Sequence, residues 1–413
     1  MRTQFVNDPF AAMRLPEFRR FISGRFLFIM GLRMMGALVG WWMYELTGDP
    51  LALGLIGLAE VIPAVSMALY AGHVVDRTDR QRMLVRSALL YTGCALALAA
   101  LAWSHHRQFS GARLTVLGLY VVIFCTGIIR SFSGPAFGAI LGQLVPRELL
   151  ANATTWSQGT WLTASVTGHA LAGFLIAGLG IETSLTGVAV LVLAALLLFR
   201  GIERKPPPPQ TETRTWESVK EGLRYVWNTK ELLGALTLDL FAVLFGGAVA
   251  LVPVFAKDIL KVGPVGFGWL NAAADIGAIL IVALLTLMPL QKKQGKILLL
   301  AVAGFGASMI LFALSTWYWL SFTALLLAGM LDGISIVIRG TILQLKTPNA
   351  LRGRVMSVNS MFINSSNELG QFESGLAARI MGVVPSVVFG GCMTLAVVVI
   401  TWLKAPGLRK LEY

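Results

Sequence analysis

Charge is what this sequence has least of. Only 13% of its 413 residues are Asp, Glu, Lys or Arg, against 56% hydrophobic residues. A soluble globular domain carries roughly a quarter charged residues, so a chain this long could not cover a soluble surface with these. The same composition excludes intrinsic disorder. Cysteine is equally scarce. Cys94, Cys125 and Cys392 each sit inside an apolar run, which excludes a disulfide framework and a cysteine-based metal cluster; no metal site is expected. There is no Gly-x-x-x-x-Gly-Lys-Ser/Thr phosphate loop, no His-Glu-x-x-His and no Gly-x-Ser-x-Gly. ATP therefore does not drive the chain directly, no enzyme site is legible and no cofactor is expected.

What is present is a series of long apolar runs. A bilayer core of about 30 Å takes about 20 apolar residues as a helix. Twelve stretches qualify: 20–45, 52–74, 83–103, 114–138, 153–179, 184–200, 232–256, 266–290, 296–315, 318–345, 355–382 and 384–403. Backbone groups in hydrocarbon must be paired within the segment, which predicts helices. The runs are continuous rather than alternating, which argues against a transmembrane barrel. The fold class predicted is an all-α membrane protein of twelve transmembrane helices in two six-helix bundles.

The net charge of +13 invites a nucleic-acid reading, but the positive residues recur at span ends instead of forming one basic face. Of the 34 Lys and Arg, 25 fall on one side of the spans, five on the other and four within them. The positive-inside rule then predicts cytoplasmic termini. Trp41, Trp42, Tyr44, Trp103, Trp317, Tyr318 and Trp319 fall at the opposite interface, where aromatic belts lie. Arg14, Pro16, Arg19 and Arg20 precede a span too long for a cleaved leader, so no signal peptide is expected.

The longest polar stretch divides the spans six and six. It opens with Pro206-Pro207-Pro208-Pro209, a stiff extended segment. Trp216, Val219, Leu223, Val226 and Trp227 then recur at helical spacing, which predicts an amphipathic helix on the membrane surface. The organisation expected is a bundle over 1–200, a cytoplasmic linker over 201–231 and a second bundle over 232–413. The halves are similar in order: Gly48-Asp49-Pro50 with Gly54 matches Gly263-Pro264 with Gly268, and Pro146-Arg147-Glu148-Leu149 matches Pro348-Asn349-Ala350-Leu351. Parallel repeats of six spans are the plan of one transporter fold, with its site between the halves.

Between spans 2 and 3, Gly72-His73-Val74-Val75-Asp76-Arg77-Thr78-Asp79-Arg80-Gln81-Arg82 resembles the loop signature of the major facilitator superfamily. Arg130-Ser131-Phe132-Ser133-Gly134 in span 4 resembles the Arg-x-x-Gln-Gly signature of its proton-linked antiporters. The stretch from Ile129 to Trp156 and Leu351-Arg352-Gly353-Arg354-Val355 resemble the branch of macrolide efflux and enterobactin export proteins. Three positions depart from the family pattern. Asp79 stands where the loop usually has glycine, the second-half copy Gln291-Lys292-Lys293-Gln294-Gly295-Lys296 lacks its acidic residue, and Gly168-His169 replaces the antiporters' Gly-Pro. The resemblance implies a cytoplasmic gate at Gly72, Asp76, Arg77 and Arg80, with Asp76 near the start of span 11. It also implies that Arg130 is tied to proton transfer.

An ionised side chain at mid-bilayer costs about 2.5–3.5 kcal/mol on insertion scales, so each one asks for a partner, water or a function. These are Arg25 and Arg33 in span 1, Glu60 in span 2, Arg130 in span 4, Asp239 in span 7 and Asp275 in span 8, followed by Asp332 and Arg339 in span 10 and Glu368 and Glu373 in span 11. Arg25 and Asp239 fall at matched repeat positions, as do Arg130 and Asp332, with opposite charges. They would face one another or a shared aqueous cavity, or each would be paired locally to permit insertion. Asp332 and Arg339, seven apart on one face, would be neutralised within their span or by a neighbour. Proton-coupling candidates are Arg130, Asp239, Asp332, Glu60, Asp275 and Glu368.

Two spans carry polar stripes at helical spacing: Thr154, Gln158, Trp161, Ser165 and His169 in span 5, and Ser360, Asn364, Asn367, Gln371 and Ser374 in span 11. They would line a cavity together with Arg25, Arg33 and Arg339, with Trp161 as part of an apolar wall for a bulky ligand; the alternative is interhelical hydrogen bonding. The function expected is proton-coupled export of a bulky, partly apolar small molecule, such as a siderophore or antibiotic, by alternating access. Uptake or lipid movement by the same fold is the alternative; a passive channel or an intramembrane enzyme fits less well. Expected partners are the small-molecule substrate and membrane lipid, with no nucleic acid. A monomer in the cell inner membrane is expected.

Overall fold

The computed structural model describes residues 8–204, 215–288, 292–348 and 351–412, and all of its regular structure there is helical. α1 (Pro16–Thr47), α2 (Pro50–Arg77), α3 (Arg80–His106) and α4 (Ala112–Leu144) follow one another through short turns. α5 (Leu150–Arg200) contains two spans, divided at Gly180, where φ is 74°. A side chain there would force a left-handed residue with a Cβ, which only glycine adopts at no cost. α6 (Thr215–Asn228) is the amphipathic helix, and Gly222 and Val226 turn inward from it.

The second set of spans begins with α7 (Lys230–Gly246). Its helix breaks at Gly247 and continues as a 3-10 turn (Ala248–Leu251), a short helical turn (Val252–Val254) and a wide π-type turn (Phe255–Ile259). Sequence patterning predicts one unbroken helix over 232–256. The Gly246-Gly247 pair and Pro253, which has no N–H to donate, account for the difference. α8 (Gly263–Leu287), α9 (Gln294–Leu314), α10 (Tyr318–Lys346), α11 (Arg352–Met381) and α12 (Val383–Lys404) complete the chain.

Counting both parts of α5, six spans precede α6 and six follow it. Ten stretches are long and apolar enough to cross a membrane. The run 147–200 counts once there although it holds two spans, and α11 is too polar to qualify by hydropathy. The protein is a multi-pass membrane protein with twelve spanning helices.

The helices gather into two compact units. One comprises Met1–Trp42 and Ile62–Thr211, the other Met43–Val61 and Glu212–Tyr413. In the first, an aromatic cluster joins α1, α4 and α5: Phe28, Phe137 and Phe199 have ring centroids 5.1–6.1 Å apart. In the second, Leu232, Leu236, Leu298, Ile342 and Val358 form a buried core shared by α7, α9, α10 and α11. The second unit also holds the turn between α1 and α2. Asp49 there accepts from Leu51 N at 2.9 Å and pairs with Arg379 at 2.8 Å, while Tyr44 donates its hydroxyl to the Asp258 carboxylate.

Candidate functional site

The charged residues inside the spans find different solutions. Arg339 of α10 pairs with Asp239 of α7, and both are buried. The repeat pattern would have Asp239 answer Arg25; instead it is neutralised by a neighbouring helix of its own unit. Arg25 lies over the ring of Phe137, 5.4 Å from its centroid, and its Nε has no hydrogen-bond partner among the described residues. A ring face attracts a cation without presenting a full negative charge, so Arg25 is held in the aromatic cluster of the first unit. Arg33 lies 5.0 Å from the centroid of Trp161. That stacking depends on close helix contact: a Cβ on Gly168 would lie 2.7 Å from the Met30 carbonyl oxygen and 2.9 Å from the Arg33 Cβ. The glycine before His169 thus lets α5 touch α1.

Asp332 is half-buried on α10. With Asp239 and Ser335 it lines a cavity of about 10 Å³, whose other walls are Ala242, Val243, Val302, Phe305 and Leu331. That is about the space one water molecule needs. Ser335 is 2% exposed, and its Oγ has no hydrogen-bond partner among the described residues. Sequence reasoning missed Ser335. Its spacing could have found it, because it lies three residues after Asp332 and four before Arg339, on one helical face. The apolar lining from α9 carries no sequence signal.

Glu368 is buried on α11 and accepts from Gln371 Nε2 at 2.9 Å. Glu60, Asp275 and Arg130 are half-buried on α2, α8 and α4. The polar stripe of α5 grades along its length. Thr154 and Gln158 are exposed, Trp161 and His169 are half-buried and Ser165 is buried. α11 behaves alike, with Ser360, Asn364 and Asn367 exposed, Gln371 half-buried and Ser374 buried. Asn367 Nδ2 donates to its own helix at Ile363 O, 2.9 Å away.

At the loop between α2 and α3, Gly72 and Asp76 lie on α2, and the surroundings of both lie outside what the structure describes. Arg77 is exposed. Arg80 of the expected gate donates to the Ala139 carbonyl at 2.8 Å, a backbone contact to α4. Asp79, the departure from the family loop, has a structural use. Its Oδ1 accepts from Arg82 N at 3.2 Å and caps the start of α3. The neighbouring Gln81 side chain donates to Phe199 O at 3.0 Å, close to the end of α5. Among the described residues no group of three His, Cys, Asp or Glu could hold a metal ion.

Twelve spanning helices, polar faces on two of them and charges at a few interior positions are the marks of a membrane transporter. The family model of the Major Facilitator Superfamily matches residues 21–371, and the chain belongs to that family. It is 26% identical over 397 residues to the enterobactin exporter EntS of Shigella flexneri, covering 96% of this chain and 93% of that protein. It is 24% identical over 399 residues to the EntS of Shigella boydii serotype 4, with the same coverage. Its fold is shared with the nucleoside transporter NupG (TM-score 0.73, 12% identity, 94% of this chain and 99% of that one). A D-xylose–proton symporter is equally similar (TM-score 0.73, 12% identity, 96% and 99%).

Proposed function

We propose that this chain exports a bulky, partly apolar small molecule across the cell inner membrane by alternating access, driven by the proton gradient. The observation that carries the reading is the exposure of Thr154 and Gln158 on α5 and of Asn364 and Asn367 on α11. An amide facing acyl chains would give up its hydrogen bonds to water, so such faces call for a wet or substrate-filled surface. Trp161 and the Phe-rich and Met-rich α1 supply apolar wall for a large ligand. The names of the relatives support a siderophore as substrate. No cofactor enters the cycle, the working unit is a monomer in contact with lipid, and both termini are cytoplasmic, which follows from the Lys and Arg bias.

Uptake through the same fold is the second reading, and it draws on Gly168-His169 standing where the antiporters have Gly-Pro. Purified protein in liposomes with an imposed pH gradient, offered enterobactin and a macrolide, separates the two. Export predicts substrate movement against the proton flow and its collapse with a protonophore. Movement of substrate with the protons would establish uptake, and transport indifferent to the gradient would remove proton coupling.

A further inference from the structure

We propose that Asp332 is the residue that takes up and releases the coupled proton, with the buried Asp239–Arg339 pair as its fixed electrostatic counterpart. The proposal rests on the proton-coupled reading above and assigns its carrier. The argument begins with charge. Asp239 and Arg339 neutralise one another. Asp332 adds one negative charge to the same cavity and makes no ion pair or hydrogen bond among the described residues. Arg339 lies seven residues further along α10, about 10.5 Å of helix rise, and its guanidinium is committed to α7. The cavity therefore carries one uncompensated charge in a surrounding of Val, Ala, Leu and Phe, and binding a proton removes it.

The groups facing Asp332 can be taken element by element. α7 contributes Asp239. α9 contributes only Val302 and Phe305. α8 carries Asp275, which does not line the cavity. On α10 itself Ser335 presents the buried, unpartnered hydroxyl. A hydroxyl can donate to a carboxylate or accept from a carboxylic acid, so Ser335 can serve both protonation states, directly or through one water in a space of about 10 Å³. The volume and lining also favour a proton over a metal cation. Sodium needs several oxygen ligands around it, and with Asp239 held by Arg339 the lining side chains leave it one carboxylate and one hydroxyl. Of the other carboxylates in the spans, Glu368 is held by Gln371.

The test is infrared difference spectroscopy of the full chain in liposomes between acid and alkaline pH, in which a carboxyl group that protonates shows its C=O stretch. The wild type should show a titrating band that is absent in D332N and retained at a shifted frequency in D332E. Replacing potassium by sodium at fixed pH should leave it unchanged. Loss of the band in D332N only together with loss of the native elution profile is resolved by D332E, which must then restore both. A band that persists in D332N overturns the proposal, and so does one abolished by sodium. A band that depends on Asp332 in a protein whose transport ignores a pH gradient would keep the proton site and remove the proton-driven function.

Discussion

Removing one member of the Asp239–Arg339 pair leaves the other charge buried without an opposite. Both side chains are under a tenth exposed. Breaking a buried pair from one side costs about 3–5 kcal/mol, whereas replacing both by apolar groups of similar size is often neutral. We expect D239N and R339Q each to lower the thermal midpoint of the detergent-solubilised protein markedly, and the double variant D239L with R339M to recover most of the loss. A double variant as unstable as the worse single one would show that the pair contributes more than mutual neutralisation. Asp79 offers a smaller effect by a different route. D79A removes the acceptor for Arg82 N and should cost about 1 kcal/mol, the usual worth of an N-cap, read from the same melting curves. At this scale the sequence was partly legible. Which positions in the spans are charged follows from the order of residues alone. Which partner each takes does not, because Arg339 and Asp239 lie 100 positions apart and meet only through the packing of α10 on α7.

Helices were the most readable level, since a bilayer dictates both their length and their internal hydrogen bonding. The spans expected at 153–179 and 184–200 are the two parts of α5. The break in span 7 was not expected, because apolar residues run straight through Gly247 and Pro253 and hydropathy does not register backbone geometry. α6 shows what period alone can and cannot supply. Its helical repeat is plain, but the face it buries is chosen by a neighbour: Gly222 lies against the backbone of Arg354, and Tyr225 donates to Lys346 O at 2.6 Å. Leu223 and Trp227 are left 44% and 69% exposed, with Lys220 and Arg224 exposed one helical step away. An apolar strip bordered by basic residues is the arrangement of an interfacial helix. A spin label at position 227 in liposomes should be relaxed by oxygen dissolved in the lipid, and one at position 220 by a water-soluble paramagnetic complex. Equal exposure of position 227 to the water-soluble reagent would place α6 off the membrane.

At the scale of the whole molecule, two kinds of exposed surface have to be told apart: surface that meets acyl chains and surface that meets water. Val190 and Leu197 on the second part of α5 are 61% and 59% exposed and apolar, as a lipid-facing side demands. Thr154 and Gln158 on the first part, and Asn364 and Asn367 on α11, are exposed and polar. The free energy of a solvent-exposed amide depends on which medium it meets, so the same geometric exposure carries opposite meanings at the two sets of positions. The periodicity that marked these stripes is a property of one helix at a time. The medium is a property of the assembled protein, which is why the stripes were legible in the sequence and their surroundings were not. A chain lacking Cys94, Cys125 and Cys392, with single cysteines introduced in turn, makes the distinction measurable. Cysteines at 154, 158, 364 and 367 should react with a membrane-impermeant maleimide in liposomes, and a bulky substrate such as enterobactin should slow them. Cysteines at 190 and 197 should react only with a lipid-soluble reagent. Thiolate is the reactive form and needs water to ionise, so failure of all four polar positions to react would mean that their polar groups are satisfied within the helices, and the aqueous pathway assigned to them would have no place in this protein.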